Sequence, residues 1–398
     1  MSTLQEANRM KRLPLYLFTI MDDLKAKAVA QGKDVIDLGM GNPDLPSPKH
    51  VVEELCRQAA LVENQRYSRP TGDVELHMRE AIAQWYHGRF GVTLDPKTEV
   101  LPLIGSKEGI AHLALAFLNN DDIGIVPNPS YPVHGDSIIM AGGIRYNIPL
   151  SPENQFRPNV KALPKEVVRM AKILFVSYPH NPTAACVDLD FYNELVDWAR
   201  DKSIIICSDL AYSDIVFDGY KAPSLMQAKG VRDIYGIEFH TCSKSYNMAG
   251  WRIGWAVGHP EVLRTLEKTK SYIDFGIFRA VQLAAIKALT GPQDCIRENV
   301  EAYRRRRDVF VEGLNRIGWS VDKPKATFYI WAHHPPKFTG LTSLEFASLL
   351  VDEAGVVVAP GTGFGEYGEG FVRFSLVQPE DRLRQAVERL GKVLAISC

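Results

Sequence analysis

The sequence predicts an α/β fold in which a large, mainly parallel sheet is covered by helices, with a smaller α+β domain beside it. Short runs that are apolar throughout recur along the middle of the chain, and helical patterns such as residues 188–202 separate several of them. Strands that are apolar on both sides need helices on both faces of their sheet, and crossover helices connect parallel strands. From about residue 290 a long amphipathic helix leads into shorter strands, which predicts the second domain.

The elements can be placed along the chain. The large domain is predicted over residues 46–289, and the small domain over residues 1–45 and 290–398. The predicted strands of the large sheet are 100–105, 122–127, 172–179, 203–209 and 238–244. Those of the small domain are 327–332, 355–359 and 371–376, followed by a final helix from Pro379.

Bulk composition excludes several functional classes. The chain has 398 residues, 46% hydrophobic and 23% charged, with a net charge of −1. This length suffices for two domains, and the near-zero charge predicts neither a nucleic-acid nor an anionic-membrane partner. The run 304–307 is the only basic cluster. Apolar residues recur around it at helical spacing, which predicts a solvated helix face.

The cysteine pattern predicts a reducing compartment. Six cysteines occur, at 56, 186, 207, 242, 295 and 398, and no two are spaced as C-x-x-C. We expect reduced thiols, with no zinc or other metal site and no disulfide framework. The N-terminus has no sustained apolar segment of a signal peptide, and no apolar run is long enough to span a bilayer. A soluble, cytoplasmic protein is expected.

Two glycine motifs have different meanings. Gly363-x-Gly365-x-x-Gly368 has the spacing of a dinucleotide fingerprint, but a strand follows it after two residues where a helix would be needed, so a glycine-rich turn is predicted. GSKEG (105–109) follows a strand and opens a helical pattern. The amides of Ser106 and Lys107 at that helix start would hold a phosphate, although a plain helix cap explains the motif equally well.

Polar side chains follow the ends of the other predicted strands. They are Tyr131 in NPSYP, Asn181 in SYPHNPTA, Asp209 and Tyr212 in SDLAY, and Lys244 in TCSKSYNMAGWRIGW, with Ser243 beside it and Arg252 eight residues on. Each alone has an ordinary explanation, such as a turn, a helix cap or an exposed lysine. Carboxyl ends of parallel strands meet at one edge of a sheet, where ligands bind. A ligand with a phosphate, a ring cation, a phenolic oxygen and an aldehyde would engage them all, and pyridoxal 5′-phosphate has these four features.

Taken in order, the motifs resemble those of the class I/II aminotransferases, the fold-type-I enzymes that use pyridoxal 5′-phosphate. The resemblance covers nearly the whole chain. It rests on GMGNPD (39–44), YSRPTG (67–72), GSKEG, NPSYP, NPTA, SDLAY, SKSYNMAGWRIG (243–254) and FVRFSL (371–376). Within the family, the chain is most similar to the branch of the alanine transaminases and the LL-diaminopimelate aminotransferases.

The resemblance implies roles for residues around the cofactor ring. Lys244 would form a Schiff base with the cofactor aldehyde and later move the proton from the substrate. Asp209 would keep the pyridine nitrogen protonated. Tyr212 and Asn181 would donate hydrogen bonds to the phenolic oxygen, and Tyr131 would stack on the ring.

Further roles follow for the phosphate and the substrate. Ser106, Lys107, Ser243 and Arg252 would hold the phosphate. Tyr67 would reach the phosphate of a neighbouring subunit, which implies a homodimer with shared active sites. Arg373 would bind the substrate α-carboxylate, together with Asn181 and the backbone of Gly41. The chain departs from the family pattern at His180 and Ala184; His180 is interpreted as a wall residue.

The resemblance implies transamination between an amino acid and a 2-oxo acid by ping-pong half-reactions, with glutamate/2-oxoglutarate as one pair. Alanine/pyruvate is placed first for the second pair, ahead of LL-diaminopimelate/tetrahydrodipicolinate and aspartate/oxaloacetate. Two further hypotheses stay open: a β C–S lyase using the same cofactor, and a non-catalytic binding protein. Retention of Lys244, Asp209 and Arg373 argues against the last.

Overall fold

A seven-stranded sheet forms the centre of the larger part of the computed structural model, which describes residues 4–14, 17–69 and 72–395. Numbered along the whole described chain, and including those outside this sheet, the strands are β1 (Ile36–Asp37), β2 (Val100–Leu103), β3 (Ile123–Asn128), β4 (Ile144–Pro149), β5 (Ala171–Val176), β6 (Ile205–Asp209), β7 (Gly236–Thr241), β8 (Gly254–Gly258), β9 (Tyr329–His333), β10 (Val356–Val357), β11 (Ala359–Pro360) and β12 (Phe371–Ser375). The order in the large sheet is β2-β8-β7-β6-β5-β3-β4, and only β8 runs antiparallel to its neighbours.

Helices cover both faces of this sheet. The helices are α1 (Asn8–Lys11), α2 (Leu17–Ala30), α3 (Lys49–Ala59), α4 (Asp73–Phe90), α5 (Ser106–Phe117), α6 (Pro132–Met140), α7 (Lys165–Met170), α8 (Leu189–Ala199), α9 (Cys242–Ser245), α10 (Pro260–Ile273), α11 (Arg279–Thr290), α12 (Asp294–Arg316), α13 (Ser343–Leu349) and α14 (Glu380–Ala395). One core cluster joins strand residues to α4, α8 and α11, and a second joins them to α5, α6 and α10. The predicted α/β class is confirmed.

All five predicted strands of the large sheet are present, and two more were missed. The edge strand β4 is partly exposed and carries Arg145 and Asn147, so it lacks the continuous apolar run of a buried strand. Strand β8 is five residues long, begins and ends with glycine, and starts at Gly254, the last residue of the SKSYNMAGWRIG motif. The polar residues of β4 and the two glycines of β8 therefore hid these strands from a search for apolar runs.

The smaller part is α+β, as predicted. β9, β11 and β12 form an antiparallel sheet, and the predicted strand 355–359 is divided between β10, which pairs with β1, and β11. Aromatic residues from α12, β9, α13 and β12 fill its core. The glycine motif at 363–368 forms two 3₁₀ turns that lead into β12, so the predicted turn is confirmed. The domain boundaries at 45/46 and 289/290 remain predictions.

The prediction of a solvated face for the run 304–307 is wrong for two of its four arginines. Arg306 and Arg307 are buried on the inner face of α12. Arg306 makes two hydrogen bonds of 2.7 and 2.8 Å to the Asp44 carboxylate, and Arg307 makes two of 2.6 and 3.1 Å to Asp218. A helix turns residues three and four after Tyr303 towards the same side, which explains the burial.

The structure also bears on the other expectations. Within the described ranges, no helix combines the length and the apolarity that crossing a membrane requires. The five described cysteines are all free, and Cys398 lies outside the described residues. Pro70 and Thr71 of the YSRPTG motif lie outside them as well.

Candidate active site

A cavity of about 520 Å³ opens at the carboxyl ends of the parallel strands, where the smaller part of the chain covers the large sheet. Polar side chains line it from both sides. Its lining residues are Met40, Gly41, Asn42, Ser106, Lys107, Tyr131, Ser177, Asn181, Asp209, Ala211, Tyr212, Thr241, Ser243, Lys244, Ala249, Arg252, Tyr329 and Arg373. Every predicted site residue except Tyr67 is in this set.

Lys244 lies on the short helix α9, directly after β7. The Thr241 hydroxyl caps this helix by accepting from the Ser243 amide at 3.1 Å, which fixes the turn between strand and lysine. The Lys244 ammonium donates to the Gly41 carbonyl oxygen at 2.9 Å. Its pKa is lowered from 10.5 to about 8, first because burial disfavours the charge, and then because Arg373 and Arg252 are nearby cations. The amine is therefore a usable nucleophile close to neutral pH.

Asp209 is the last residue of β6, and only one of its two carboxylate oxygens has a hydrogen-bond partner among the described residues. Oδ2 lies 3.0 Å from His134 Nε2, and the His134 ring stacks on Phe175. Oδ1 is buried and has no hydrogen-bond partner among the described residues. A buried carboxylate oxygen normally has a donor or a cation beside it. The protonated ring nitrogen of pyridoxal phosphate is such a donor, so this carboxylate fits the cofactor.

The opposite end of the cavity is suited to a phosphate. Gly105 has φ +102°, a conformation that favours glycine, and the Arg252 guanidinium packs closely against it: a Cβ there would lie 2.5 Å from one of its nitrogens. Ser106 and Lys107 begin the twelve-residue helix α5, whose first amides lack intrahelical partners. Helix amides, the Ser243 hydroxyl and the Arg252 guanidinium thus converge on an anion site.

Arg373 projects from the middle of β12 and is only 3% exposed. Its guanidinium donates to Asn181 Oδ1 at 2.7 Å and to the Gly39 carbonyl oxygen at 2.8 Å. The rings of Tyr329 and Phe364 lie 4.1 and 4.5 Å from its central carbon. This cation is therefore held rigidly at the cavity wall, where a carboxylate can reach it.

Tyr67 and His180, both discussed from the sequence, are not in this lining. Tyr67 is 86% exposed, with its ring edge-on to Phe275 at 5.7 Å in a separate surface depression. His180 is buried, its Nδ1 lies 2.7 Å from the Thr183 hydroxyl oxygen, and burial lowers its pKa to about 3. The imidazole is therefore neutral at physiological pH. His180 is not among the residues that line the cavity, and its interpretation as a wall residue stays a prediction.

Sequence reasoning missed His134 and Tyr329. His134 follows Tyr131 by three residues at the start of α6, so one helical turn places it on the same side as that predicted residue. That spacing was a usable signal. Tyr329 lies within the antiparallel strand β9, and no strand-end rule singles it out.

A second cluster of ionisable groups lies behind α5. Ligand atoms of Glu108, His112 and Asp274 lie within 4.8 Å of one another. Lys270 already supplies a cation there, 2.7 Å from Asp274 and 3.8 Å from Glu108. Lys270 thus already takes the place of one cation beside the two carboxylates, and the expectation of no metal site stays a prediction.

Comparisons with known proteins agree with this geometry. The sequence profile of the family "Aminotransferase class I and II" matches residues 33–390. The chain is 48% identical over 391 residues to the LL-diaminopimelate aminotransferase of Moorella thermoacetica, covering 98% of this chain and 99% of that protein. It is also 48% identical over 384 residues to the enzyme of the same name from Aquifex aeolicus, covering 96% and 98%.

Solved structures of similar proteins have the same fold. Substrate-bound BacF from Bacillus subtilis superposes with a TM-score of 0.93 at 35% identity, covering 98% of both chains. A probable N-succinyldiaminopimelate aminotransferase from Thermus thermophilus gives 0.88 at 37% identity, covering 94% of this chain and 99% of that one. Sequence and fold thus agree along almost the entire length with the chemistry that the cavity can support. The chain belongs to the class I and II aminotransferases, enzymes that depend on pyridoxal 5′-phosphate.

Proposed function

We propose that this aminotransferase acts on LL-diaminopimelate, with glutamate/2-oxoglutarate as the partner pair. The observation that carries the proposal is the identity of 46–48% to eight curated relatives that all bear the name LL-diaminopimelate aminotransferase, over at least 96% of this chain. The names of these relatives support LL-diaminopimelate as substrate, the alternative that the sequence analysis placed second. They give no support to placing alanine/pyruvate first.

The residues of the cavity divide the chemical work. Pyridoxal phosphate, when bound, supplies an electron sink for the charge that develops at the substrate's α-carbon. Lys244, whose amine can be neutral near pH 8, removes and returns the proton at that carbon. Asp209 Oδ1, which has no partner among the described residues, accepts a hydrogen bond from the protonated ring nitrogen. Tyr212 and Asn181 donate hydrogen bonds to the cofactor's phenolic oxygen, and Tyr131 packs on the cofactor ring.

Substrate and phosphate occupy opposite ends of this arrangement. The α5 amides of Ser106 and Lys107, together with Ser243 and Arg252, hold the phosphate. Arg373 binds the α-carboxylate in a bidentate manner, assisted by Asn181 and the Gly41 backbone. The cavity volume of about 520 Å³ lies within the range of small-molecule sites.

A half-reaction screen tests the substrate. The purified holoenzyme is mixed with LL-diaminopimelate, glutamate, alanine or aspartate, and the loss of the cofactor's visible absorption is followed. We expect kcat/KM for LL-diaminopimelate to exceed that for alanine by roughly tenfold or more, a ratio that one well-placed polar contact can give. The Lys244→Ala variant is the blank. Equal or faster conversion of alanine would refute the proposal. Release of ammonia and pyruvate from added cystathionine, without any 2-oxo acid acceptor, would indicate the lyase.

We also propose a homodimer with shared active sites. Tyr67 contacts Phe275 and lines a surface depression with Phe278, and these three exposed side chains form an aromatic patch. Tyr272, three residues before Phe275, is 85% exposed. Large exposed aromatic groups of this kind mark interaction surfaces. A second copy of the chain, placed on this patch, would let Tyr67 reach the phosphate end of its partner's cavity.

Subunit mixing tests the shared site. Lys244→Ala and Tyr67→Ala variants, each with little activity alone, are unfolded, mixed and refolded. Random pairing would make about a quarter of all sites intact, so a corresponding part of wild-type activity should return. A purely monomeric mass by light scattering, with no recovered activity, would exclude the dimer.

A cytoplasmic location completes the proposal. Free thiols at all five described cysteines are what a reducing compartment allows. Fractionation of cells with an antibody to the chain tests this, and recovery outside the cytoplasmic fraction would contradict it.

A further inference from the structure

Tyr329 contacts both Tyr212, the proposed partner of the cofactor's phenolic oxygen, and Arg373, the proposed partner of the substrate carboxylate. Its hydroxyl oxygen lies 2.8 Å from that of Tyr212, and its ring lies 4.1 Å from the central carbon of Arg373. It is only 2% exposed. A Cβ on Gly41 would lie 2.0 Å from the Tyr329 hydroxyl oxygen, so the glycine leaves space for that hydroxyl. The position of this phenol is therefore tightly specified.

The direction of the bond between the two phenols follows from counting protons. A phenol has one proton to donate and an oxygen that can accept. If Tyr212 donates its proton to the cofactor's phenolic oxygen, its own oxygen can only accept from Tyr329. We propose that Tyr329 is a positioning residue that donates to Tyr212 and thereby keeps the Tyr212 proton directed at the cofactor. This inference rests on the proposed role of Tyr212.

The surrounding charges favour this direction. The Arg373 guanidinium lies over the Tyr329 ring, where its positive charge favours donation of the Tyr329 proton to a neighbouring oxygen. Hydrogen bonds in series polarise one another, so donation by Tyr329 strengthens the bond that Tyr212 makes. Tyr131, before α6, also acts electrostatically on Tyr212, and Tyr303 of α12 interacts with Tyr329. Lys244 of α9 lines the same cavity.

The test is a pH titration of the visible absorption band of the holoenzyme. A weaker bond from Tyr212 leaves the ionised phenolic oxygen less stabilised, so the midpoint of the band should rise. For Tyr329→Phe we expect an upward shift of roughly half a pH unit or more, the effect of one buried hydrogen bond. KM should change little because the ring still packs on Arg373. Tyr329→Leu removes the ring as well and should also raise KM for the amino acid.

Tyr303→Phe is the matched control. Tyr303 is equally buried in the same core, and its hydroxyl has no hydrogen-bond partner in the described part of the chain. Its removal should leave the midpoint unchanged. If Tyr329→Phe behaves like this control while Tyr212→Phe raises the midpoint, the inference is overturned.

A double variant separates Tyr329 from Tyr212. If Tyr329 acts through Tyr212, the double variant Tyr212→Phe/Tyr329→Phe should shift the midpoint no further than Tyr212→Phe alone. Additive shifts would show that Tyr329 acts independently, and would overturn the inference. An unchanged midpoint in Tyr212→Phe would refute the role of Tyr212 itself, leaving the substrate proposal untouched because that is measured by the half-reaction screen.

Discussion

The two walls of the cavity are built by different means. On the wall formed by the large sheet, functional residues stand at or just after the ends of strands: Ser106 after β2, Tyr131 after β3, Asp209 at the end of β6 and Lys244 after β7. On the opposite wall, Tyr329 and Arg373 stand within antiparallel strands. Topology alone places the first set, whereas side-chain packing and hydrogen bonds place the second. We therefore expect the first wall to govern kcat, and Arg373 of the second wall to govern KM.

The largest effect is expected at Lys244. Lys244→Ala removes both the nucleophile and the base, so kcat/KM for transamination should fall by at least roughly 10⁴-fold. The measurement is the initial rate with glutamate as amino donor. Lys244→Arg keeps the positive charge but cannot replace the amine in its bond to the cofactor aldehyde, and should be equally inactive. Substantial activity in the arginine variant would mean that the positive charge of Lys244, and not its amine as nucleophile and base, accounts for its effect on the rate.

The next largest effect is expected at Asp209. Asp209→Asn keeps the size but removes the charge opposite the ring nitrogen, and kcat should fall roughly 10²- to 10³-fold with little change in KM. Asp136→Asn is the control, since Asp136 is a partly buried carboxylate on α6 that lies outside the cavity lining. A change confined to KM would contradict the division between the walls.

The difference between the walls also decides what the sequence could predict. Apolar runs identify buried parallel strands, and the residues that follow them meet at one edge, so Asp209 and Lys244 could be brought together without any structure. The opposite wall has no such rule. Arg373 was found only because FVRFSL resembles a family motif, and Tyr329 was not found. Burial of Arg306 and Arg307 was missed for a related reason, because their partners Asp44 and Asp218 are distant in sequence.

Arg373 tests the second wall directly. Arg373→Lys keeps the charge but loses the planar fork that binds a carboxylate through two hydrogen bonds. KM for amino-acid substrates should rise roughly 10- to 100-fold, with a smaller change in kcat. Arg382→Lys, on a surface arginine paired with Asp34, should leave both constants unchanged. A fall in kcat at constant KM would mean that Arg373 acts like the residues of the first wall, which the large sheet forms.

The smallest expected effect connects the two walls through one pKa. Burial, Arg373 and Arg252 together lower the pKa of Lys244 from 10.5 to about 8. Because a lysine is neutral above its pKa, the rate at which the apo protein captures pyridoxal phosphate should rise roughly tenfold between about pH 7 and pH 9 and then level off. Stopped-flow absorbance measures this, with free N-acetyl-lysine as the reference for the cofactor's own titration. In Arg373→Gln, one cation fewer opposes the ammonium, so the midpoint should move upward. An unmoved midpoint would mean that Arg373, on the second wall, exerts no electrostatic influence on Lys244.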